Sequence, residues 1–166
     1  HKGIHYLIEA FKNLITDKKL VIAGDSSYTD SYVQELKKLA GDDKRIVFVG
    51  NQTGNVLKEL YANAYIFVQT SEYEGLSMSL LEAMSFGLPC LASDIPANLE
   101  AMNGLGLNFN NKDVLDLSKK LQYTLENPET IKTQGQALRE WTFKEYNWEK
   151  IVDKLIIIYN NLLIKK

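Results

Sequence analysis

The sequence predicts an α/β fold in which a parallel β-sheet is covered by helices on both faces. Short apolar runs without polar alternation, at 20–23, 46–49 and 90–92, are typical of strands buried on both sides. Turn-forming pairs such as Gly24-Asp25 and Gly50-Asn51 follow these runs. Segments whose apolar residues recur at helical spacing lie between them. This strand–helix alternation predicts a doubly wound, Rossmann-like sheet.

The first elements follow in order from the amino terminus. Ile4, Leu7, Ile8, Phe11 and Ile15 recur at helical spacing and predict the buried face of a first helix. In parallel sheets of this kind ligands bind at the carboxyl ends of the strands, so we expect a site in the loops that follow them. The next elements are predicted as a strand at 20–23, a helix at 32–39, a strand at 46–49, a helix at 56–62 and a strand at 64–69.

The second half of the chain continues the alternation. Ser77 is a candidate N-cap for an apolar helix at 77–86, which ends before Gly87 and Pro89. Trp141 and Trp148 are expected to anchor the carboxyl-terminal helices by packing. The other elements are predicted as a strand at 90–92, a short helix after Pro96, a strand at 105–109, and helices at 114–125, from 128 onward, and at 147–164.

Composition indicates a single globular domain over residues 1–166 and excludes several classes of function. A net charge of −2 without a basic cluster argues against a nucleic-acid partner. The single cysteine, Cys90, indicates a reducing compartment, and two histidines, His1 and His5, are too few for a histidine-rich zinc site. No apolar run approaches the roughly 20 residues that cross a bilayer. Because the chain begins at His1, we expect it to be a fragment of a longer protein.

The segment from Ser71 to Met84 carries the strongest functional signal. Glu74 lies in a turn after an apolar strand, and Glu82 follows it within a helix of largely apolar residues. A carboxylate among apolar neighbours needs a partner, because burying an unpaired charge is costly. A ligand rich in hydroxyl groups is one such partner. The segment is therefore a candidate site for a sugar or a ribose.

Taken in order, these residues resemble the carboxyl-terminal domain of glycosyltransferase family 4, one half of the two-domain GT-B fold. The most specific match is the two-glutamate element that contains Glu74 and Glu82 and is followed by Gly87-Leu88-Pro89. Weaker matches cover nearly the whole chain. They are Lys2-Gly3, the segment 7–11, the segment 20–24, the segment 47–50, Tyr61, Ala62–Ala64, Ala92-Ser93 and Glu100.

The resemblance implies a role for each matching residue. By this resemblance Glu74 would be the catalytic residue and would bind hydroxyls of the donor sugar. Glu82 would accept hydrogen bonds from the ribose. Lys2 would neutralise the diphosphate, and the amide groups of Gly75, Leu76 and Ser77 at a helix start suit the same anion. The full donor-binding set is Lys2, Gly50, Asn51, Ser71, Glu74, Gly75, Leu76, Ser77 and Glu82, with Gly50 and Asn51 beside the base.

The resemblance also implies a reaction. It is the transfer of a hexose-type sugar from a nucleoside-diphosphate sugar to a saccharide or lipid-linked acceptor, with retention of configuration. The donor is a substrate, and neither a cofactor nor a metal is expected. Such enzymes build polysaccharides in the cytoplasm, and the resemblance allows peripheral association of the full-length enzyme with the inner face of the membrane.

The chain departs from the family pattern in four ways. The family's phosphate-binding arginine and its amino-terminal, acceptor-binding domain are not in this chain, so the fragment alone is expected to be inactive. The first strand of the domain, central in the order 3-2-1-4-5-6, is expected upstream of His1. We therefore expect a break between the strand at Leu20 and the strand at Ala64. Ser77 stands where the family often has glycine.

Two other classes of function remain open. One is a non-catalytic nucleotide- or sugar-binding module on the same scaffold. The other is an interaction domain of flavodoxin-like type that lacks a nucleotide site. An acidic cluster after the first strand would favour it, but the sequence shows no such cluster. A dinucleotide-dependent dehydrogenase is disfavoured because the chain has no G-x-G-x-x-G motif.

Overall fold

A computed structural model describes residues 1–25 and 30–164, and its elements follow the predicted alternation. Residues 26–29 and 165–166, which the predicted domain includes, lie outside the described residues. The elements are α1 Ile4–Lys12, β1 Leu20–Ala23, α2 Asp30–Ala40, β2 Ile46–Gly50, α3 Gly54–Asn63, β3 Phe67–Gln69, α4 Met78–Ser85, β4 Cys90–Ser93, α5 Pro96–Met102, β5 Leu107–Phe109, α6 Val114–Glu126, α7 Pro128–Glu145 and α8 Trp148–Ile164.

The five strands are parallel and form two separate sheets. β1 pairs with β2, with Leu20 opposite Ile46, and β4 lies between β3 and β5. Across residues 1–25 and 30–164 no strand pairing joins the two sheets, so the expected break between the strands near Leu20 and Ala64 is observed. A cavity of about 1200 Å³ lies at this break, lined by residues of β1 and β3. Only three residues of the predicted strand at 64–69 pair as β3.

Helix α1 bridges the two sheets from one face. Its buried residues Leu7, Ile8 and Phe11 belong to a hydrophobic cluster that contains Ile46 of β2 and Leu91 of β4. The helix also packs against α2 on one side and α6 on the other. These apolar contacts therefore join the parts that strand pairing leaves apart.

A second cluster lies on the other face of the three-stranded sheet. There α4 packs against α7, and Leu80, Met84 and Leu138 are fully buried. Trp141 joins this cluster, and its indole N–H donates to the carbonyl of Ala101 at 3.0 Å. The predicted anchoring role of Trp141 is thus confirmed. The burial of α4 fixes the helix whose amino terminus faces the loop after β3.

The prediction for Ile15 is wrong. Helix α1 ends at Lys12, and Asn13 closes it with hydrogen bonds from its backbone N–H to Ala10 and Phe11. After this turn Leu14 points inward, whereas Ile15 is 97% exposed. Once the helix ends, its periodicity no longer determines which residue faces the core.

The prediction that Trp148 anchors helix α8 by packing is also wrong. Asn147 caps this helix by accepting the backbone N–H of Glu149 at 2.8 Å, but Trp148 is 76% exposed. The apolar stripe of the helix, including Leu155 and Leu162, is exposed as well. Among the described residues, no element covers this stripe. None of the helices described is both long enough and apolar enough to cross a membrane.

Candidate functional site

The amino-terminal segment lies beside the loop that follows β3. Thr70 Oγ1 donates to the carbonyl of Lys2 at 2.9 Å, and the backbone N–H of Glu72 donates to the carbonyl of His1 at 2.8 Å. Between them, Gly3 has φ +65° and precedes α1 as its N-cap. These contacts hold Lys2 at the carboxyl end of the strand, where the sequence places the candidate site.

We expect Gly3→Ala to destabilise the protein. A Cβ at this position would lie 2.1 Å from the carbonyl oxygen of Thr70, and the left-handed conformation alone costs about 1–2 kcal/mol for a residue other than glycine. We therefore expect a loss of at least about 2 kcal/mol in the free energy of unfolding, measured by chemical denaturation. Gly75→Ala is the control, because its Cβ would meet nothing within 4 Å. Equal stability of the two variants would contradict the assigned packing of this segment.

Glu74 is held by three hydrogen bonds to one carboxylate oxygen. Its Oε1 accepts from Lys2 Nζ at 2.7 Å, Ser71 Oγ at 2.7 Å and Gln69 Nε2 at 3.1 Å. Burial by itself raises the pKa of Glu74, but the hydrogen bonds from Lys2 and Ser71 and the charge of Lys2 outweigh it and lower that pKa. The carboxyl is thus ionised at neutral pH.

The second oxygen of Glu74 is available to a ligand. Its side chain is 14% exposed, and we find no hydrogen bond to Oε2 from residues 1–25 or 30–164. An ionised carboxylate oxygen in this state accepts strongly from hydroxyl groups. The arrangement is chemically suited to binding a hydroxyl-rich molecule.

Glu82 is exposed, so the prediction that it is buried within an apolar helix is wrong. The exposed face of α4 consists of Met78, Ser79 and Glu82, and Phe86, just after the helix, continues it at helical spacing. Because two of these four residues, Met78 and Phe86, are apolar, the sequence pattern does not identify this face as exposed. Glu82 Oε2 accepts from Tyr61 Oη at 3.1 Å. Burial, followed by the charge and hydrogen bond of Glu82, raises the pKa of Tyr61.

Gln69, Ser79 and Tyr61 connect the two carboxylates, and sequence reasoning gave none of them a role in the site. Gln69 Oε1 accepts from Ser79 Oγ at 3.5 Å, and Tyr61 Oη lies 3.4 Å from the carbonyl oxygen of Ser79. These contacts join Glu74 and Glu82 in one connected set of polar groups. In the sequence, the one sign of a role for Gln69 is that a polar residue ends an otherwise apolar strand.

The amino terminus of α4 lies within this loop. Ser77 is its N-cap, with Oγ accepting the backbone N–H of Leu80 at 3.3 Å, which confirms the predicted cap. Gly75 and Leu76 are exposed just before it. Within the described part of the chain we find no acceptor for the backbone N–H groups of Gly75, Leu76 and Ser77. Free donors at a helix start favour a bound anion.

Gly50 and Asn51 approach the site from the other sheet. Gly50 ends β2 with φ +66° and accepts the backbone N–H of Gly24 at 2.8 Å. Asn51 is exposed and lines the same cavity as Lys2 and Glu82. The structure therefore places predicted site residues of both sheets around one cavity.

A second ion pair lies in the same loop. Glu72 accepts from Lys112 Nζ at 2.6 Å with one oxygen and from Tyr6 Oη at 3.1 Å with the other. The hydrogen bond from Lys112 lowers the pKa of Glu72 against the opposing effect of burial. Lys112 is 55% exposed, close to the 53% of Lys2. This pair provides a matched comparison for Lys2 and Glu74.

Among the described residues, no three His, Cys, Asp or Glu side chains are grouped so as to hold a metal ion. The expectation of a reaction without metal stays a prediction.

Comparison with known proteins gives the family of this domain. The chain belongs to the family of glycosyl transferases group 1, whose model matches residues 1–141. It is 33% identical over 163 residues to the sulfoquinovosyl transferase SQD2 of Arabidopsis thaliana, covering 92% of this chain and 30% of that protein. The chain thus spans less than a third of the length of that relative.

Solved structures agree on the fold. HepE from Anabaena, crystallised with UDP, superposes with a TM-score of 0.88 at 20% identity over 96% of this chain and 45% of its own. The carboxyl-terminal domain of the group 1 protein LpcC from Francisella tularensis superposes with a TM-score of 0.77 at 25% identity, covering 89% of this chain and 80% of that domain. The predicted fold class, half of a GT-B architecture, is confirmed.

Proposed function

We propose that this chain is the donor-binding domain of a retaining glycosyltransferase. The observation that carries the proposal is the set of polar contacts that runs from Glu74 through Gln69, Ser79 and Tyr61 to Glu82, with Lys2 and the start of α4 beside it. Carboxylates suit the hydroxyls of a sugar and a ribose, and a lysine beside free backbone N–H groups suits a diphosphate. Relatives and structures that bind UDP or transfer sugars support this assignment.

The chemistry follows from where charge develops. The bond between the anomeric carbon and the diphosphate oxygen breaks, and an acceptor hydroxyl oxygen bonds to the same carbon on the same face. The hydroxyl proton passes to the departing diphosphate. Lys2 and the amino terminus of α4 stabilise the negative charge that grows on this leaving group. Glu74 orients the sugar through its hydroxyls, so neither a protein nucleophile nor a metal is required.

The proposal extends to partners. The acceptor is a saccharide or lipid-linked molecule bound by a second domain, and residues 1–166 alone should transfer no sugar because the cleft needs both halves. We place the enzyme in the cytoplasm, with peripheral contact at the inner membrane face when the acceptor is lipid-linked. Its product would enter polysaccharide assembly.

Calorimetric titration of the full-length protein with UDP, GDP, ADP and TDP tests the binding role. Binding of at least one of them, strengthened or weakened by the attached sugar, is expected. Failure of all four nucleotides, and of their glucose conjugates, to bind a folded protein would overturn the proposal.

Glu82→Gln is expected to weaken binding of the preferred ribonucleotide. A hydrogen bond to a charged group contributes about 1.5–3 kcal/mol, so the dissociation constant should rise about 10- to 100-fold. The loss should be smaller for the 2′-deoxy form of the same nucleotide, because one hydroxyl partner is already absent. Ser85→Ala is the control, because the hydroxyl of Ser85 donates to the backbone carbonyl of Glu82 and not to its carboxylate. Equal losses of affinity for the ribonucleotide and its 2′-deoxy form would show that Glu82 does not contact the 2′-hydroxyl of the ribose.

A further inference from the structure

We propose that Gln69 is a positioning residue that keeps Glu74 in its working orientation when Lys2 turns to the diphosphate. The inference rests on the proposed function and assigns a role to a residue outside the glutamate pair. Lys2 and Gln69 donate to the same oxygen, Glu74 Oε1, at 2.7 and 3.1 Å. Only one of these two donors carries a charge that a phosphate attracts.

The two donors differ in how firmly they are held. The side chain of Lys2 is 53% exposed, whereas Gln69 is 6% exposed. Gln69 lies on β3 opposite Ala92 of the central strand β4, so its backbone is fixed by the sheet. An exposed lysine is free to change partner, but a buried glutamine on a paired strand is not.

Both ends of the Gln69 amide are engaged. Nε2 donates to Ser71 Oγ at 3.0 Å as well as to Glu74, and Oε1 accepts from Ser79 Oγ at 3.5 Å. Ser79 belongs to the first turn of α4, so Gln69 connects the loop of Glu74 to the helix whose start faces the diphosphate. A neutral amide also stabilises an ionised carboxylate without attracting the phosphate itself.

Gln69→Glu tests this role because it preserves the shape of the side chain but replaces the donating NH₂ group of the amide with a carboxylate oxygen. At neutral pH it places a second carboxylate within about 3 Å of Glu74 Oε1, and like charges at that distance repel. On acidification the pair retains one proton, which restores a donor between the two groups. The ratio of variant to wild-type kcat should therefore rise as pH falls from about 8 to about 5. A ratio that does not change with pH would overturn the proposal.

Gln69→Leu removes the donor without adding charge. We expect kcat to fall about 10-fold or more while KM for the donor changes less than about threefold, because the lost hydrogen bond supports orientation and not affinity. Thr142→Val is the control, since Thr142 is about as buried as Gln69 and its hydroxyl donates to the carbonyl of Leu138 within α7, away from the loop of Glu74. Losses equal to those of this control, or a change confined to KM, would contradict the positioning role.

A measurement that needs no turnover separates this inference from the proposed function. If the wild-type protein neither binds nucleotides nor transfers sugar, the proposed function fails. The carboxyl pKa of Glu74, followed by ¹³C NMR, still tests the local role. It should rise in Gln69→Leu and more so in Gln69→Glu, and an unchanged value in both variants would refute the assignment.

Discussion

Replacing Glu74 with Gln should reduce sugar transfer by about 10²- to 10³-fold while the fold is retained. The variant keeps the size of the side chain but removes the charge that accepts from three donors and would orient the sugar. Steady-state kcat/KM of the full-length enzyme measures the loss. Circular dichroism and the thermal midpoint should show a folded protein, because the side chain is near the surface of the loop.

Glu72→Gln is the matched control for this prediction. Glu72 is two residues away, is also ionised and pairs with a lysine at 2.6 Å, but it belongs to a separate cluster with Tyr6. Its variant should retain most of the activity. If Glu74→Gln and Glu72→Gln were equally active, Glu74 would not be catalytic. A wild-type protein that binds the donor but shows no transfer with any acceptor would instead favour the non-catalytic module.

Lys2→Ala should lower kcat/KM by about 10²-fold, the size expected when one group that stabilises developing charge is removed. The same change acts on Glu74. Without the hydrogen bond and charge of Lys2, burial dominates and the pKa of Glu74 rises. Because transfer needs the ionised carboxylate, activity is lost as pH falls through that pKa. The acidic limb of the kcat/KM profile should therefore move to higher pH.

Lys112→Ala controls for removing a half-exposed lysine that pairs with a glutamate of the same loop. It should leave the acidic limb of the profile in place. A Lys2→Ala profile that coincides with the wild type, at undiminished rate, would show that Lys2 serves only to hold the amino terminus. Guanidinium or amine rescue is not needed to interpret this pair.

The strands and the site loop could be predicted because their signals are local. Apolar runs such as 90–92 read as buried strands, and Ser77 reads as a helix cap. The break between the sheets was also expected, but from the strand order that the family resemblance implies. The grouping of Lys2 with Glu74, 72 positions apart, could be expected only through the family resemblance, because no local pattern joins them.

The errors arise where tertiary packing decides. Glu82 looked buried because Met78 and Phe86 share its exposed face, so polarity did not reveal which side of α4 meets water. The apolar stripe of α8 predicted a packed helix, but a stripe indicates only that a face could be covered. Gln69 was missed because a single polar residue in a strand has no periodicity, and the fold brings its partners Ser71, Glu74 and Ser79 to it through the following loop and α4.

Helix α1 gives the molecule a mechanical linkage between ligand and scaffold. Its core side chains hold together two sheets that share no strand pairing among the described residues, and the segment just before it carries Lys2, which we propose contacts the diphosphate. A nucleotide bound beside Lys2 would favour the folded domain by mass action, so nucleotide occupancy and resistance to heat should rise together.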